Sequence, residues 1–70
     1  MKRVPVSSSN LSSAGYDPES KVLEVQFKSG SVYQYMNVPE LVHQGLMSAP
    51  SKGRYLDRLV KGAYRFRRVG

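Results

Sequence analysis

The chain has 70 residues, 40% of them hydrophobic, and a formal net charge of +6, so we expect one small domain with a modest core. It has no cysteine, which excludes disulfides and thiolate metal sites and suits a reducing compartment. Its apolar stretches are too short to span a membrane and its start lacks the apolar block of a secretory signal, so we expect a cytoplasmic protein with no membrane partner.

The first nine residues, MKRVPVSSS, are predicted to form a flexible arm or an edge segment, because they carry a proline, a serine run and little apolar content. We place a single domain over residues 10–69. It opens with a weak strand around Leu11, Ala14 and Tyr16, in which Gly15 allows a bulge or a close backbone approach. The DPES segment that follows is typical of a turn.

The segment KVLEVQF carries the clearest strand pattern in the chain. Leu23, Val25 and Phe27 alternate with Glu24 and Gln26, which is the period of a strand that is buried on one side. A hairpin should connect this strand to a third one.

That hairpin has two possible registers, which place Tyr33 and Tyr35 on opposite faces of the sheet. A two-residue loop over 29–30 sets both tyrosines on the outer face. A three-residue loop over 28–30, with its glycine in the left-handed bulge position, sets both on the core face. The two-residue loop would bury Gln34 at the centre of the apolar face, so the three-residue loop is favoured.

Two helices are predicted after the sheet. The first begins near Asn37, a plausible cap, with Pro39 in its first turn, and ends at Pro50. Its apolar stripe at helical spacing can pack on the sheet and comprises Val38, Val42, Leu46 and Ala49.

The second helix should begin with Ser51 as its N-cap, and Gly62 is a potential break. Its inward flank is predicted to comprise Tyr55, Leu56, Leu59, Val60 and Ala63. The tail YRFRRVG fits either a short final strand or an ordered extension. The predicted architecture is α+β, a three-stranded antiparallel meander followed by two helices packed on one face.

The inventory of groups for catalysis is thin. His43 is the single histidine, and no acid, base and nucleophile stand at a recognisable spacing, so we predict a non-enzyme. The scattered carboxylates show no metal-ligand spacing, and no glycine-rich phosphate loop is present, so we expect no metal and no cofactor.

The net charge lies entirely near the carboxyl end. Residues 1–50 carry four basic and four acidic residues, whereas residues 51–70 carry seven basic residues and only Asp57. This asymmetry indicates a polyanionic partner, and a continued helix would align the cations along one face. The alternative is a merely solvated face. Candidate nucleic-acid contacts are Arg54, Arg58, Lys61, Arg65, Arg67 and Arg68, with Tyr64 and Phe66 available to stack on unpaired bases.

Across residues 7 to 69 the chain resembles the KTSC domain family, named for the C-terminus of some lysyl-tRNA synthetases and also found as short bacterial proteins. The resemblance rests on the order of SSSN, GYDP, LEVQF, YQY, VP, SAPSKG, YLDRLV and RV. The central Tyr-x-Tyr signature corresponds to Tyr33 and Tyr35. The chain departs from the family pattern at His43, where an aromatic residue is common, and in the additional proline of APSKG.

The resemblance implies a small α+β module without known catalytic residues, in a family generally described as uncharacterised and suggested to bind RNA. Together with the charge asymmetry it predicts a non-catalytic module that binds RNA or single-stranded nucleic acid through a basic C-terminal helix and tail. The alternative is a protein-interaction domain that uses the exposed sheet face or edge, including Val32 and Met36.

Overall fold

The computed structural model describes the whole chain, residues 1–70. Its five strands form one antiparallel sheet in chain order: β1 (Val4–Pro5), β2 (Leu11–Asp17), β3 (Val22–Phe27), β4 (Val32–Tyr35) and β5 (Phe66–Arg68). Between β4 and β5 lie α1 (Glu40–Ser48) and α2 (Lys52–Tyr55), and α2 continues as a π-helical turn (Leu56–Val60). No helix is long and apolar enough to cross a membrane. The α+β class is confirmed, but the predicted three-stranded sheet is wrong because the sheet has five strands.

The two additional strands are short edge strands at opposite ends of the sheet. In β1, Val4 pairs with Ala14, and the Lys2 carbonyl passes where a side chain on Gly15 would lie. The close backbone approach predicted at Gly15 is therefore confirmed. The arm thus contains an edge segment, while its flexibility and the boundary after residue 9 stay predictions. Strands of two and three residues are too short for a sequence pattern to identify them reliably, and of the two alternatives for the tail the short final strand is the one that forms.

The hairpin between β3 and β4 has the three-residue loop. Val25 pairs with Tyr33, the Phe27 N–H donates to the Ser31 carbonyl over 2.9 Å, and Gly30 has a φ of +100°. Such a conformation favours glycine, which has no Cβ to clash with the backbone. The register favoured by the polar-burial argument is confirmed, and both tyrosines point to the helix-covered face.

The core lies between this face of the sheet and the helical segment. Two tyrosine hydroxyls anchor α1 above it: Tyr16 donates to the Val38 carbonyl, and Tyr55 donates to the Val42 carbonyl over 2.9 Å. These bonds let the rings fill apolar space while their polar ends are satisfied. The core residues are Leu11, Ala14, Leu23, Val25, Tyr35, Val38, Leu46, Leu56 and Val60.

The start of α1 departs from expectation, whereas the predicted N-cap position of α2 and the predicted break at Gly62 are confirmed. Asn37 is not the cap of α1, because it adopts a φ of 55° and the cap position falls on Pro39. Ser51 does occupy the predicted N-cap position of α2. The helical segment ends at Val60, and Gly62, with a φ of +82°, turns the chain away, as its predicted role as a break requires. Leu59, predicted to face inward, is 51% exposed.

Candidate functional site

An open cleft of about 460 Å³ lies at the C-terminal edge of the sheet, next to the end of the π-helical turn. Its volume falls within the ~300–1,000 Å³ typical of small-ligand sites. Four aromatic rings form most of its wall, and a lysine stands at its rim. We call it the aromatic cleft; it is lined by Phe27, Ser29, Ser31, Tyr33, Tyr35, Lys61, Gly62 and Phe66.

Strand register brings these rings together. Because Tyr33 pairs with Val25 and Tyr35 pairs with Leu23, both tyrosines share the face on which Phe27 lies. The antiparallel pairing of β5 then sets Phe66 opposite Tyr35. One slip of a single residue in either ladder would turn these rings to the other face.

The ring contacts connect the buried and the exposed parts of the cleft. Tyr33 meets Phe27 edge to face at 5.6 Å between centroids, and it meets Phe66 at 5.7 Å with a tilt of 42°. Tyr35 is only 2% exposed, and burial raises the pKa of its hydroxyl. Phe66, in contrast, is 60% exposed. Tyr35 is therefore a core residue, whereas Tyr33 and Phe66 form a wall that a ligand can reach.

Lys61 closes the cleft on the helical side. Its N–H donates to the Leu56 carbonyl over 2.8 Å, the five-residue spacing of a π-helical turn, which places the side chain over the Phe27 ring at 5.2 Å. Its Nζ also pairs with Asp57 at 3.1 Å. Both partners are well exposed, and such surface pairs contribute only about 0–1 kcal/mol. The ammonium group can therefore exchange Asp57 for another anion at little cost.

The continued helix that would align the cations along one face does not form, because the helical segment ends at Val60 and Arg67 and Arg68 lie in β5. Arg54 and Arg58 line a separate groove beside Leu59. Arg65 lines a shallow cavity with Tyr64 and Phe66, and this cavity adjoins the aromatic cleft through Phe66 and Gly62. Arg68 pairs with Tyr33 and shares its face of the sheet. The cations thus fall into groups rather than along one line.

Arg67 lies on the opposite face of the sheet, in a polar network. Its guanidinium donates twice to the Gln34 side chain, at 3.0 and 3.1 Å. Gln34 in turn donates to Glu24 over 2.8 Å, and Arg3 from the N-terminal arm donates to the same carboxylate over 2.7 Å. Glu24 is only 8% exposed. This network satisfies a nearly buried carboxylate and links the residue before β1 to β3, β4 and β5.

His43 lies apart from the aromatic cleft. Its ring stacks on Tyr16 at 4.9 Å with an angle of 9°, and it lines none of the three cavities of the chain. Burial lowers the pKa of His43 and raises that of the Tyr16 hydroxyl. No group of three or more histidine, aspartate or glutamate side chains comes together that could hold a metal ion.

The sheet edge proposed for protein docking is not free. β5 covers β4, so Val32 is buried, and its backbone bonds with Val69 and Gly70. The Met36 N–H likewise donates to the Arg65 carbonyl over 2.8 Å. The prediction that Val32 is exposed is therefore wrong, because it assumed that the third strand is an edge.

Four cleft residues were absent from the predicted site: Phe27, Ser29, Ser31 and Gly62. The signal that could have found Phe27 was present, since the favoured hairpin register already sets it on the face of Tyr33. Finding the serines required the shape of the loop.

Comparison with known proteins gives one consistent family. The model of the KTSC domain matches residues 7–64. A protein of Stutzerimonas stutzeri, described as uncharacterized, is 49% identical over 70 residues and covers 99% of both chains. A lysine–tRNA ligase of Nostoc is 39% identical over 54 residues, which are 77% of this chain but only 10% of the ligase. The crystal structure of a KTSC domain protein from Yersinia pestis superimposes with a TM-score of 0.93, 51% identity, and coverage of 99% and 97%.

Proposed function

Because the chain belongs to the KTSC domain family, part of which lies within proteins named lysine–tRNA ligases, we propose that it is a non-catalytic module that binds RNA or other single-stranded nucleic acid. The observation that carries this proposal is that the aromatic cleft lies against the strongly positive C-terminal segment, which supplies Lys61, Gly62 and Phe66 to its lining. Residues 51–70 hold seven cations and one carboxylate, and the exposed wall of the cleft is formed by aromatic rings. Single-strand binders combine these two features.

The proposed contact surface consists of the cleft and the cations around it. Lys61, Arg65 and Arg68 surround or adjoin the cleft, and Tyr64 lines the neighbouring cavity beside Arg65. Arg54 and Arg58 extend the positive surface along α2. Arg67 is excluded from this surface, because it faces the other side of the sheet. The similarity to a segment of a ligase that acts on tRNA supports RNA as the polyanion.

The absence of any cysteine supports a cytoplasmic location, where RNA is available. No acid and base pair lines the cleft, since Lys61 is its only ionisable group apart from the tyrosines. Positioning and charge neutralisation are therefore the chemistry that this surface offers.

A titration of fluorescently labelled single-stranded RNA over a series of salt concentrations tests the proposal. We expect binding at low salt that weakens steeply as salt rises, because phosphate contacts release counterions. The double variant Arg54→Gln, Arg58→Gln should reduce the slope of log affinity against log salt by about 1.4, since each single-strand phosphate contact contributes about 0.7.

The matched control is Lys2→Gln, Lys21→Asn, which removes the same charge from exposed positions outside the C-terminal segment. Asparagine suits position 21 because Lys21 has a φ of 57°. Absence of RNA binding at low salt would contradict the proposed function. An equal loss in both double variants would show that only net charge matters.

A further inference from the structure

The aromatic cleft has cations beside its rings. Lys61 stands on its helical side, and Arg68, whose Nε–H donates to the Gly70 carbonyl over 2.9 Å, is the cross-strand partner of Tyr33. A nucleotide carries the matching groups, since its planar base can stack on a ring and its phosphate, one sugar away, can pair with a cation. A surface with rings alone would suit an apolar peptide, and a surface with cations alone would suit any polyanion.

The exposed ring of the cleft is held in place before any ligand arrives. Phe66 contacts Tyr33 at 5.7 Å and Tyr35 at 5.8 Å between centroids, and its strand is hydrogen-bonded to β4. The ring nevertheless stays 60% exposed. A large apolar ring fixed in an exposed position provides stacking area without a cost in side-chain ordering.

Polar groups at the rim complete the complementarity. Ser29 and Ser31 line the cleft, and their hydroxyls can both donate to and accept from the edge of a base. Lys61 is held only by an exposed pair with Asp57. A phosphate that displaced Asp57 would gain the Lys61 ammonium group as its partner at the mouth of the cleft, next to the stacked base.

From this arrangement we propose that the aromatic cleft holds one unpaired nucleobase, stacked on Phe66 and Tyr33, with an adjacent phosphate bound by Lys61 and Arg68. This inference rests on the proposed function and deepens it, because it assigns the base-binding position within the wider basic surface. Arg54 and Arg58 then contact neighbouring phosphates and do not select the base.

A short single-stranded RNA that contains one 2-aminopurine tests the proposal, because the emission of this base falls when it stacks. We expect quenching on binding to the wild-type protein. Phe66→Ala should weaken binding about tenfold and abolish the quenching, since the stacking of one base on an aromatic side chain contributes free energy of that order. Leu41→Ala, at an exposed apolar position on α1 that lines no cavity, is the matched control and should behave as wild type.

A second measurement separates base binding from phosphate binding. In NMR spectra, the amide chemical shifts of residues 27, 33, 61 and 66 should change when adenosine monophosphate is added. They should change far less with ribose 5-phosphate, which lacks the base. Amide spectra of Phe66→Ala also report whether this variant is folded.

The outcomes distinguish the two levels of the proposal. RNA binding that leaves 2-aminopurine emission unchanged, together with wild-type affinity of Phe66→Ala, overturns the base pocket and leaves the wider proposed function standing. Equal shifts with both small molecules also overturn the base pocket. No RNA binding at low salt overturns both.

Discussion

Tyr33 on β4 and Arg68 on β5 are direct cross-strand partners, so the first tyrosine of the Tyr-x-Tyr pair shares its face of the sheet with an arginine of the tail. Arg67, one residue earlier, points to the opposite face and donates to Gln34. The alternation of a strand thus divides two adjacent arginines between two environments.

This division predicts different effects on RNA binding for the same substitution at two adjacent positions. Arg68→Gln should lower the slope of log affinity against log salt by about 0.7, because one phosphate contact is lost. Arg67→Gln, its matched control, should leave the slope unchanged. A salt titration of each variant measures the difference, and equal slopes for the two variants would contradict the assigned surface.

We predict that the turn between the helical segment and β5 requires glycine at position 62. Its φ is +82°, and no atom lies within 4 Å of the position of an added Cβ, so the cost of a substitution there is conformational. Gly62→Ala should lower the free energy of unfolding by about 1–2 kcal/mol. Gly62→Asn should cost less, because asparagine tolerates the left-handed region better. Urea denaturation compares the two, and an alanine variant as stable as wild type would refute the prediction.

The contact between Arg3 and Glu24 should stabilise the outer face of the sheet. Arg3→Ala leaves a nearly buried carboxylate with Gln34 as its remaining side-chain partner, and we expect a loss of about 1–3 kcal/mol in unfolding free energy. Lys2→Ala, at the neighbouring exposed position, should cost much less. Adding Glu24→Gln to Arg3→Ala should recover part of the loss, because it removes the buried charge. A double-mutant cycle by urea denaturation measures the coupling, and no coupling would show that the contact is unimportant.

The stack of His43 on Tyr16 predicts a loss of stability on mild acidification. Burial lowers the pKa of His43 below its ordinary value of 6.5, although Glu40 acts in the opposite direction. The unfolded chain therefore binds a proton at a higher pH than the folded chain does, so the free energy of unfolding falls as pH drops from about 7 through 6.5 toward the lowered pKa. His43→Phe keeps an aromatic ring and should remove this dependence.

Urea denaturation at several pH values between neutrality and mild acid checks that prediction. Asp17 contributes in a separate pH range. Hydrogen bonds from the Ser20 side chain and the Glu19 backbone lower its pKa, so the stability that it contributes is lost only at pH values near and below 3.8. Identical pH profiles for wild type and His43→Phe would contradict the role assigned to His43.

Local patterns in the sequence were sufficient for the central part of the fold. The alternation in β3 identified its buried face, and the glycine at position 30 together with the cost of burying Gln34 selected the hairpin register. Both signals involve residues that are close in sequence. The conformation of a single hairpin is therefore enough to determine their outcome. The same register set Tyr33, Tyr35 and Phe27 on one face.

Only the tertiary structure decided where the ends of the chain lie. Residues 66–68 fit either a strand or an ordered extension by their sequence, and backbone hydrogen bonds to β4 stabilise the strand. The arginine spacing that fits a helix was therefore misleading past Val60, since pairing with a distant strand and the conformation of Gly62 outweigh helical periodicity there. The sequence shows the positive charge and the aromatic residues. That they lie together at one cleft depends on the pairing of two strands more than thirty residues apart in the chain.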